Sequence, residues 1–212
     1  MRMGCPVVNH QEIDTLEHEF TDYRVEPNWT DEEFAGVDLQ DKRLNKRLLK
    51  VSAQFATRPQ AQINQACEDW ASAKGAYRLF ENEKVKADQI LAPHQQRTIE
   101  RMSAHPLVFA VQDTTYFNYS THQATQGLGL IGSVEDGDVG LLMHSTLAVT
   151  PEGLPLGVLT REIWARETPE FEPEGQRRKR RQSSIADKES YKWLQGVQTT
   201  MRLCPDQTDV VT

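Results

Sequence analysis

The sequence predicts a chain of α+β to α/β class, with an all-helical first half followed by a β-sheet. Apolar residues recur at helical spacing as far as Met102, which predicts successive amphipathic helices. After Pro106 the pattern changes to a short, continuous apolar run at residues 107–111, bounded by polar residues, which is typical of a buried strand. The class therefore changes from helical to β-rich near the middle of the chain.

The first two helices are predicted from their capping residues. Thr30 and Glu33 have the spacing of a capping box, with Thr30 as the N-cap of a short helix. Asp38 or Asp41 can cap the second helix, which Pro59 ends because proline cannot continue a helix. The apolar face of the second helix consists of Leu44, Leu48, Val51 and Phe55.

Two further helices complete the first half. The third has one predicted apolar side and runs to a turn at Asn82. That side consists of Trp70, Ala73, Tyr77 and Phe80. The fourth spans residues 87–102, with apolar positions loosely in phase. Residues 29–105 are therefore predicted to form one helical domain, in which the fourth helix is a linker.

The second half, residues 106–212, is predicted to contain a three-stranded meander and one more helix. The β-rich stretches 141–150 and 154–164 are joined by the turn Pro151-Glu152-Gly153, which favours a hairpin. A loop rich in proline and charge at residues 168–184 precedes a helix that Asp187 can cap and Pro205 closes. That helix carries Trp193, Leu194, Val197 and Met201. Residues 209–212 resemble a strand that is just beginning, and we expect the full protein to continue.

The net charge of −7 is concentrated at the N-terminus. Residues 1–33 contain nine acidic residues and two arginines, so the remainder is neutral overall. We expect residues 1–28 to be a mobile acidic leader. The sequence contains neither a secretory signal nor an apolar run long enough for a membrane span, and its three distant cysteines form no disulfide framework. These features predict a cytoplasmic protein.

The second helix is strongly basic. Residues 41–58 contain six cations and one acid, a net charge of +5, and like charges recur at i,i+4 spacing. An anionic partner would relieve this repulsion, so the pattern indicates phosphate-backbone binding, with a solvated helix face as the alternative. A second basic run, residues 177–181, is equally compatible with a plain surface loop.

Asp113 is the candidate metal ligand. It is predicted to end the first strand, where open sheets present ligands, and divalent cations such as magnesium prefer oxygen donors. An aspartate after a strand is also a common turn-forming residue, so the position alone leaves both interpretations open. The scattered histidines make no metal-ligand spacing.

Several motifs occur in the order found in one known family. They are Asp41-Lys42-Arg43-Leu44-Asn45-Lys46-Arg47-Leu48, Lys74-Gly75-Ala76-Tyr77-Arg78-Leu79-Phe80, Gln112-Asp113-Thr114-Thr115, Tyr119, residues 128–133, His144-Ser145 and residues 187–194. Together they resemble the transposon-five type of bacterial cut-and-paste transposase, which belongs to the insertion-sequence-four group of DDE transposases. The resemblance covers about residues 29–203.

The resemblance implies a helical domain that binds the inverted-repeat ends of a transposon in double-stranded DNA, followed by a truncated ribonuclease-H-like mixed sheet. Asp113 would be the first of three carboxylates that hold Mg²⁺ or Mn²⁺ for metal-dependent phosphodiester hydrolysis and strand transfer. Arg43, Arg47 and Arg78 match DNA-contacting positions, and Lys46 and Lys50 extend the basic face. A homodimer on DNA, within the bacterial nucleoid, is implied for the full-length protein.

The second aspartate and the glutamate of the DDE motif are expected beyond Thr212, so we expect no strand cleavage by this chain alone. Two alternatives remain open. The chain could be a non-catalytic DNA-binding remnant that inhibits an intact transposase, or an unrelated ribonuclease-H-like nuclease.

Overall fold

The computed structural model describes residues 29–122, 124–132, 136–166 and 189–212. The predicted leader, the loop at 168–184 with its basic run, and the predicted cap Asp187 lie outside these residues. Contacts divide the chain into two compact units, Met1–Val85 and Lys86–Thr212. A helical region is followed by a mixed sheet of five strands, which confirms the predicted fold class. No helix of the described part is both long and apolar enough to cross a membrane.

The first unit contains four described helices. They are α1 (Trp29–Glu33), α2 (Lys42–Thr57), α3 (Ile63–Ala66) and α4 (Trp70–Phe80). Asp41 is the N-cap of α2, and its carboxylate accepts a hydrogen bond of 2.7 Å from the backbone N–H of Arg43. The helix ends just before Pro59, as predicted. The prediction that Thr30 caps the first helix was wrong, because Thr30 lies buried inside α1.

Helix α2 packs in the first unit through the apolar face that its sequence predicts. Leu44, Leu48 and Val51 are all buried there, while Phe55 is half-buried against the ring of Phe80. Asn45 fastens the preceding loop to the helix, since its amide accepts from Leu39 N–H and donates to the Val37 carbonyl. The start of α2 is thus held both by its cap and by this loop.

The predicted apolar side of α4 was correct at Ala73 and wrong at Trp70, Tyr77 and Phe80, which are exposed. The helix buries a face of mostly small residues, which consists of Ser72, Ala73, Ala76 and Leu79. Trp70 is 74% exposed and Phe80 50% exposed, although both were expected to face the core. Small residues allow the backbone of α4 to approach its neighbours closely, and this packing prevails over the burial of larger side chains.

The second unit contains two described helices and five strands. They are α5 (Ala87–Met102), β1 (Leu107–Asn118), β2 (Gly129–Leu130), β3 (Val139–Val149), β4 (Pro155–Trp164), α6 (Tyr191–Leu203) and β5 (Asp209–Val211). Helix α5 has the predicted bounds and packs on β4. It therefore belongs to the unit that contains the sheet, whereas the predicted domain boundary at residue 105 assigned it to the helical domain.

The sheet is built around the pair β1 and β3. Strand β3 lies antiparallel to β1, to β4 and to the short β2, which confirms the predicted hairpin from β3 to β4. The turn of that hairpin places Gly153 at a φ of +91°, a conformation that glycine adopts without strain. Strand β5 pairs with β1 in parallel, so the final residues do form the predicted strand.

The core of the second unit lies on one face of the sheet. It consists of Met102, Val108, Ala110, Ala148, Leu156 and Leu159. Arg101 strengthens the contact between α5 and β4, because its Nε donates a 2.6 Å hydrogen bond to the Leu156 carbonyl. Thr208 Oγ1 donates a hydrogen bond to the Met102 carbonyl. This bond holds the residue that precedes β5 against the C-terminal end of α5.

Helix α6 approaches the same face through small residues. Gly196 and Thr200 are buried, whereas Trp193, Leu194 and Met201 of the predicted apolar side remain at least 43% exposed. A β-carbon at residue 196 would collide with the side-chain oxygen of Gln112. A larger residue at position 196 would therefore require the Gln112 side chain, which binds His144, to move.

Candidate nucleic-acid interface and metal-ligand carboxylate

Four of the predicted DNA-binding residues lie on one face of α2. Arg43, Lys46, Arg47 and Lys50 occupy positions i, i+3, i+4 and i+7, which neighbour one another along a helix. Arg43, Lys46 and Lys50 are exposed, and Arg47 is half-buried. Within the described residues, none of these four cations forms an ion pair with a carboxylate at 4.0 Å or less. The face therefore presents four cationic side chains with little local neutralisation.

Two of these cations reach from α2 to α4. The Nε atom of Arg47 would lie 3.8 Å from a β-carbon placed at Gly75, so the guanidinium covers the glycine. Lys50 Nζ donates a 2.9 Å hydrogen bond to Ser72 Oγ. The Ser72 hydroxyl in turn donates to Asp69 Oδ2 over 3.0 Å. The basic face of α2 is thus continuous with the surface of α4.

The carboxylate of Asp69 lies beside this junction, because it accepts hydrogen bonds from both the N–H and the hydroxyl of Ser72. Its pKa is lowered, chiefly by the hydrogen bond from the Ser72 backbone, then by the Ser72 hydroxyl, with a smaller contribution from the charge of Lys50. Its carboxylate also caps α4 by accepting from the Ser72 N–H. Asp69 is therefore ionised at neutral pH and stabilises the N-terminus of α4. Among the four cations of α2, Lys50 is the one whose charge lowers the pKa of Asp69.

Arg78, the fifth predicted DNA-binding residue, lies in the last turn of α4 and is exposed. Lys74, one turn earlier at i−4, is also exposed. Gly75, which Arg47 covers, lies between these two residues in the sequence. The structure therefore brings Arg47 and Lys50 into contact with the helix that carries Arg78 and adds Lys74, which the sequence did not single out.

Asp113 lies within β1 and not at its end, so that part of the prediction was wrong. The strand continues to Asn118 because its pairing with β3 extends unbroken from Phe109 to Asn118. Asp113 is opposite Ser145 in this register, and its side chain is exposed. The backbone at Asp113 is paired with β3 on one side, while the pairing of β1 with β5 on the other side covers only Leu107 to Phe109.

The two neighbours of Asp113 both bind one histidine of β3. Thr114 Oγ1 lies 2.9 Å from His144 Nδ1, and Gln112 Oε1 lies 3.0 Å from His144 Nε2. The ring of Trp193 packs edge-on against the imidazole with centroids 4.6 Å apart. Since alternate residues of a strand face opposite sides, Asp113 projects from the sheet face opposite to His144 and α6.

The pKa of His144 is lowered, first by burial and then by the positive charge of Lys192, while Glu162 acts in the opposite direction. The geometry fits a neutral imidazole that donates from Nε2 to Gln112 and accepts at Nδ1 from the Thr114 hydroxyl. In the sequence, His144 is distinguished only as part of the motif His144-Ser145. The role of His144 could have been inferred from the alternation Gln112-Asp113-Thr114. In a strand, this alternation places Gln112 and Thr114 on the face opposite to Asp113.

Asp113 has the chemistry of a metal ligand. Its carboxylate oxygens are the hard donors that Mg²⁺ and Mn²⁺ prefer. Across residues 29–122, 124–132, 136–166 and 189–212, no group of three or more histidine, cysteine, aspartate or glutamate side chains could hold a metal ion. The described residues therefore do not by themselves form a site with three such ligands around Asp113.

Residues 26–85 match the family model described as transposase DNA-binding. The match ends where the first compact unit ends, at Val85, and includes helices α1 to α4. All five predicted DNA-binding residues, Arg43, Lys46, Arg47, Lys50 and Arg78, lie within it. The match supports a transposase N-terminal region in this chain and DNA as its partner.

Proposed function

We propose that this chain is part of a cut-and-paste DDE transposase of the transposon-five type, in the insertion-sequence-four group. Its first unit would bind the inverted-repeat ends of the element in double-stranded DNA, at the nucleoid of a bacterial cell. The observation that carries the proposal is the transposase DNA-binding match over residues 26–85, because the basic face of α2 lies inside it.

The charge distribution supports a phosphate-backbone contact. Arg43, Lys46 and Arg47 lie together on α2 without carboxylate partners among the described residues, and Arg78 adds a cation on α4. Each phosphate contact releases condensed counterions, so these four cations together with Lys50 give a slope of roughly −4 to −5 for log affinity against log salt. The acidic total charge of the chain does not prevent this, because binding depends on the local face.

The second unit supports a ribonuclease-H-like core. Its strands β1, β3 and β4 form an antiparallel meander, and β5 joins β1 in parallel on the other edge. Asp113 would be the first DDE carboxylate, and its exposed side chain lies on β1, the strand between β3 and β5. Bound Mg²⁺ or Mn²⁺ would supply the activation of water and of a 3′-hydroxyl for attack on phosphodiesters. A homodimer on DNA belongs to the same proposal.

The test is a binding assay with labelled duplexes. One duplex carries the DNA that flanks the coding region of this chain, and the other is a scrambled duplex of equal length and composition. We expect tighter binding to the flanking DNA, measured by fluorescence anisotropy at several salt concentrations. Equal affinity for both duplexes would rule out the recognition of transposon ends.

Charge reversal locates the interface. The double variant Arg43→Glu/Arg47→Glu should abolish binding, and each single variant should weaken it and reduce the salt slope by about one. Arg202→Glu is the matched control for the single variants, because Arg202 is an exposed arginine of α6 outside the matched domain. Unchanged binding by the double variant would refute the assignment of the basic face.

A further inference from the structure

Helix α4 presents two aromatic and two cationic side chains on one exposed face. Trp70, Lys74, Tyr77 and Arg78 occupy positions i, i+4, i+7 and i+8, which lie on the same side of a helix. Trp70 is 74% exposed and Tyr77 is 42% exposed. Glu81, one turn after Tyr77, is the acid on this side. The face thus combines apolar rings with a net positive charge.

Among the described residues of the first unit, the packing of α4 uses a different face. Helix α4 packs against α2 through Ser72, Ala73, Ala76 and Leu79, as described above. Phe80, which is also half exposed, at least contacts the ring of Phe55 with centroids 6.3 Å apart. Trp70 has no aromatic or cation–π contact with another described residue. Its indole therefore remains in water, where its large apolar surface is unfavourable.

We propose that Trp70 is a non-ionic DNA contact, whose indole packs on deoxyribose and base-edge surface of the duplex bound by α2. The proposal rests on the proposed function and adds an apolar contact to its basic interface. Duplex DNA is the occupant favoured by charge, because Lys74 and Arg78 follow Trp70 by one and two turns on the same side of its helix. Arg47 of α2 reaches α4 at Gly75, three residues before Arg78.

The chemistry of the contact predicts a specific signature. Phosphate contacts by lysine and arginine release counterions and therefore set the salt dependence of binding. An indole packed on sugar and base releases none, so its contribution to affinity is the same at every salt concentration. Truncating Trp70 should therefore shift the binding isotherms without changing the slope of log affinity against log salt.

The experiment uses the full chain and the labelled flanking-DNA duplex, titrated across a series of NaCl concentrations. Trp70→Ala should weaken binding about tenfold at each concentration, as expected for the loss of a partly buried indole, with the salt slope unchanged. Trp70→Phe should retain most of the affinity, because a smaller ring can still pack on the DNA. Met201→Ala is the matched control, since Met201 is 71% exposed and lies on α6 in the second unit.

Folding is checked by circular dichroism, and Trp70→Gln replaces the alanine variant if that one does not fold. An affinity within twofold of wild type would overturn the proposal, as would a change in salt slope, which would indicate an ionic role. If Trp70→Ala leaves the DNA affinity unchanged but alters the sedimentation of the chain without DNA, the exposed face of α4 is instead a site for a protein partner. If wild type binds and Arg43→Glu/Arg47→Glu does not, the proposed function stands whatever Trp70→Ala does.

Discussion

The hydroxyl of Thr114 lies 2.9 Å from Nδ1 of His144, across the pair β1 and β3. Gln112 binds the other ring nitrogen of the same histidine over 3.0 Å. The residues on either side of Asp113 are therefore fastened to one buried side chain of the neighbouring strand, which is 3% exposed. This arrangement fixes the register of β1 at the point from which the carboxylate of Asp113 projects on the opposite face.

The stability of the chain should depend on pH through His144. Burial lowers its pKa below the ordinary value of 6.5, so the unfolded chain takes up the proton first as pH falls. The contribution of His144 is therefore complete above pH 6.5 and is lost as pH falls from there through the folded-state pKa. The loss of stability is measured by urea unfolding, followed by circular dichroism, at pH 7.5 and pH 5.5, which lie about one pH unit above and below 6.5.

His144→Gln is the control for this dependence. Glutamine keeps a polar side chain between Gln112 and Thr114 but does not titrate in this range. The variant should lose part of the difference in unfolding free energy between the two pH values. The same difference in the variant and in wild type would show that protonation of His144 does not control the pairing of β1 and β3.

Asp113→Ala should leave DNA binding and stability nearly unchanged. Asp113 is exposed and lies outside residues 26–85, so its removal costs within about 0.5 kcal/mol, as is usual for surface positions. Duplex binding by anisotropy and urea unfolding measure the two quantities. His144→Ala is the contrasting variant, because it should destabilise the chain by leaving Gln112 without its buried partner. Loss of DNA binding by a folded Asp113→Ala chain would contradict a role confined to metal binding.

The elements that the sequence predicted well are those with strong local signals. Asp41 caps α2 with its own carboxylate and Pro59 prevents its continuation, so both ends of this helix are determined within a few residues. The basic face follows from the same helix, since residues at i,i+3 and i,i+4 are neighbours by geometry alone. Its cations were predicted correctly as a group for this reason, although their DNA-binding role remains a prediction.

The buried faces of α4 and α6 could not be predicted from local pattern. In both helices the periodicity of large apolar residues indicated Trp70 or Trp193 as inward-facing. Trp70 is 74% exposed, and Trp193 remains 43% exposed although its ring contacts His144. The packing instead uses Ala76 and Gly196, because small residues let the backbones approach. Asp113 was misplaced for a related reason. The polar run from residue 112 onward resembles a loop, but pairing with β3 extends the strand to Asn118.

Gln54 offers a test of packing within the first unit. This residue of α2 is 7% exposed, and neither its amide nitrogen nor its amide oxygen has a hydrogen-bond partner among the described residues. A buried polar group without a partner costs about 1–3 kcal/mol, so Gln54→Met, which keeps the shape, should raise the free energy of unfolding by about 1 kcal/mol. Hydrogen exchange of the α2 amides reports this unit separately from the sheet. Gln60→Met, at an exposed turn, should change nothing, and a destabilised Gln54→Met chain would mean that the amide has a partner in the folded protein.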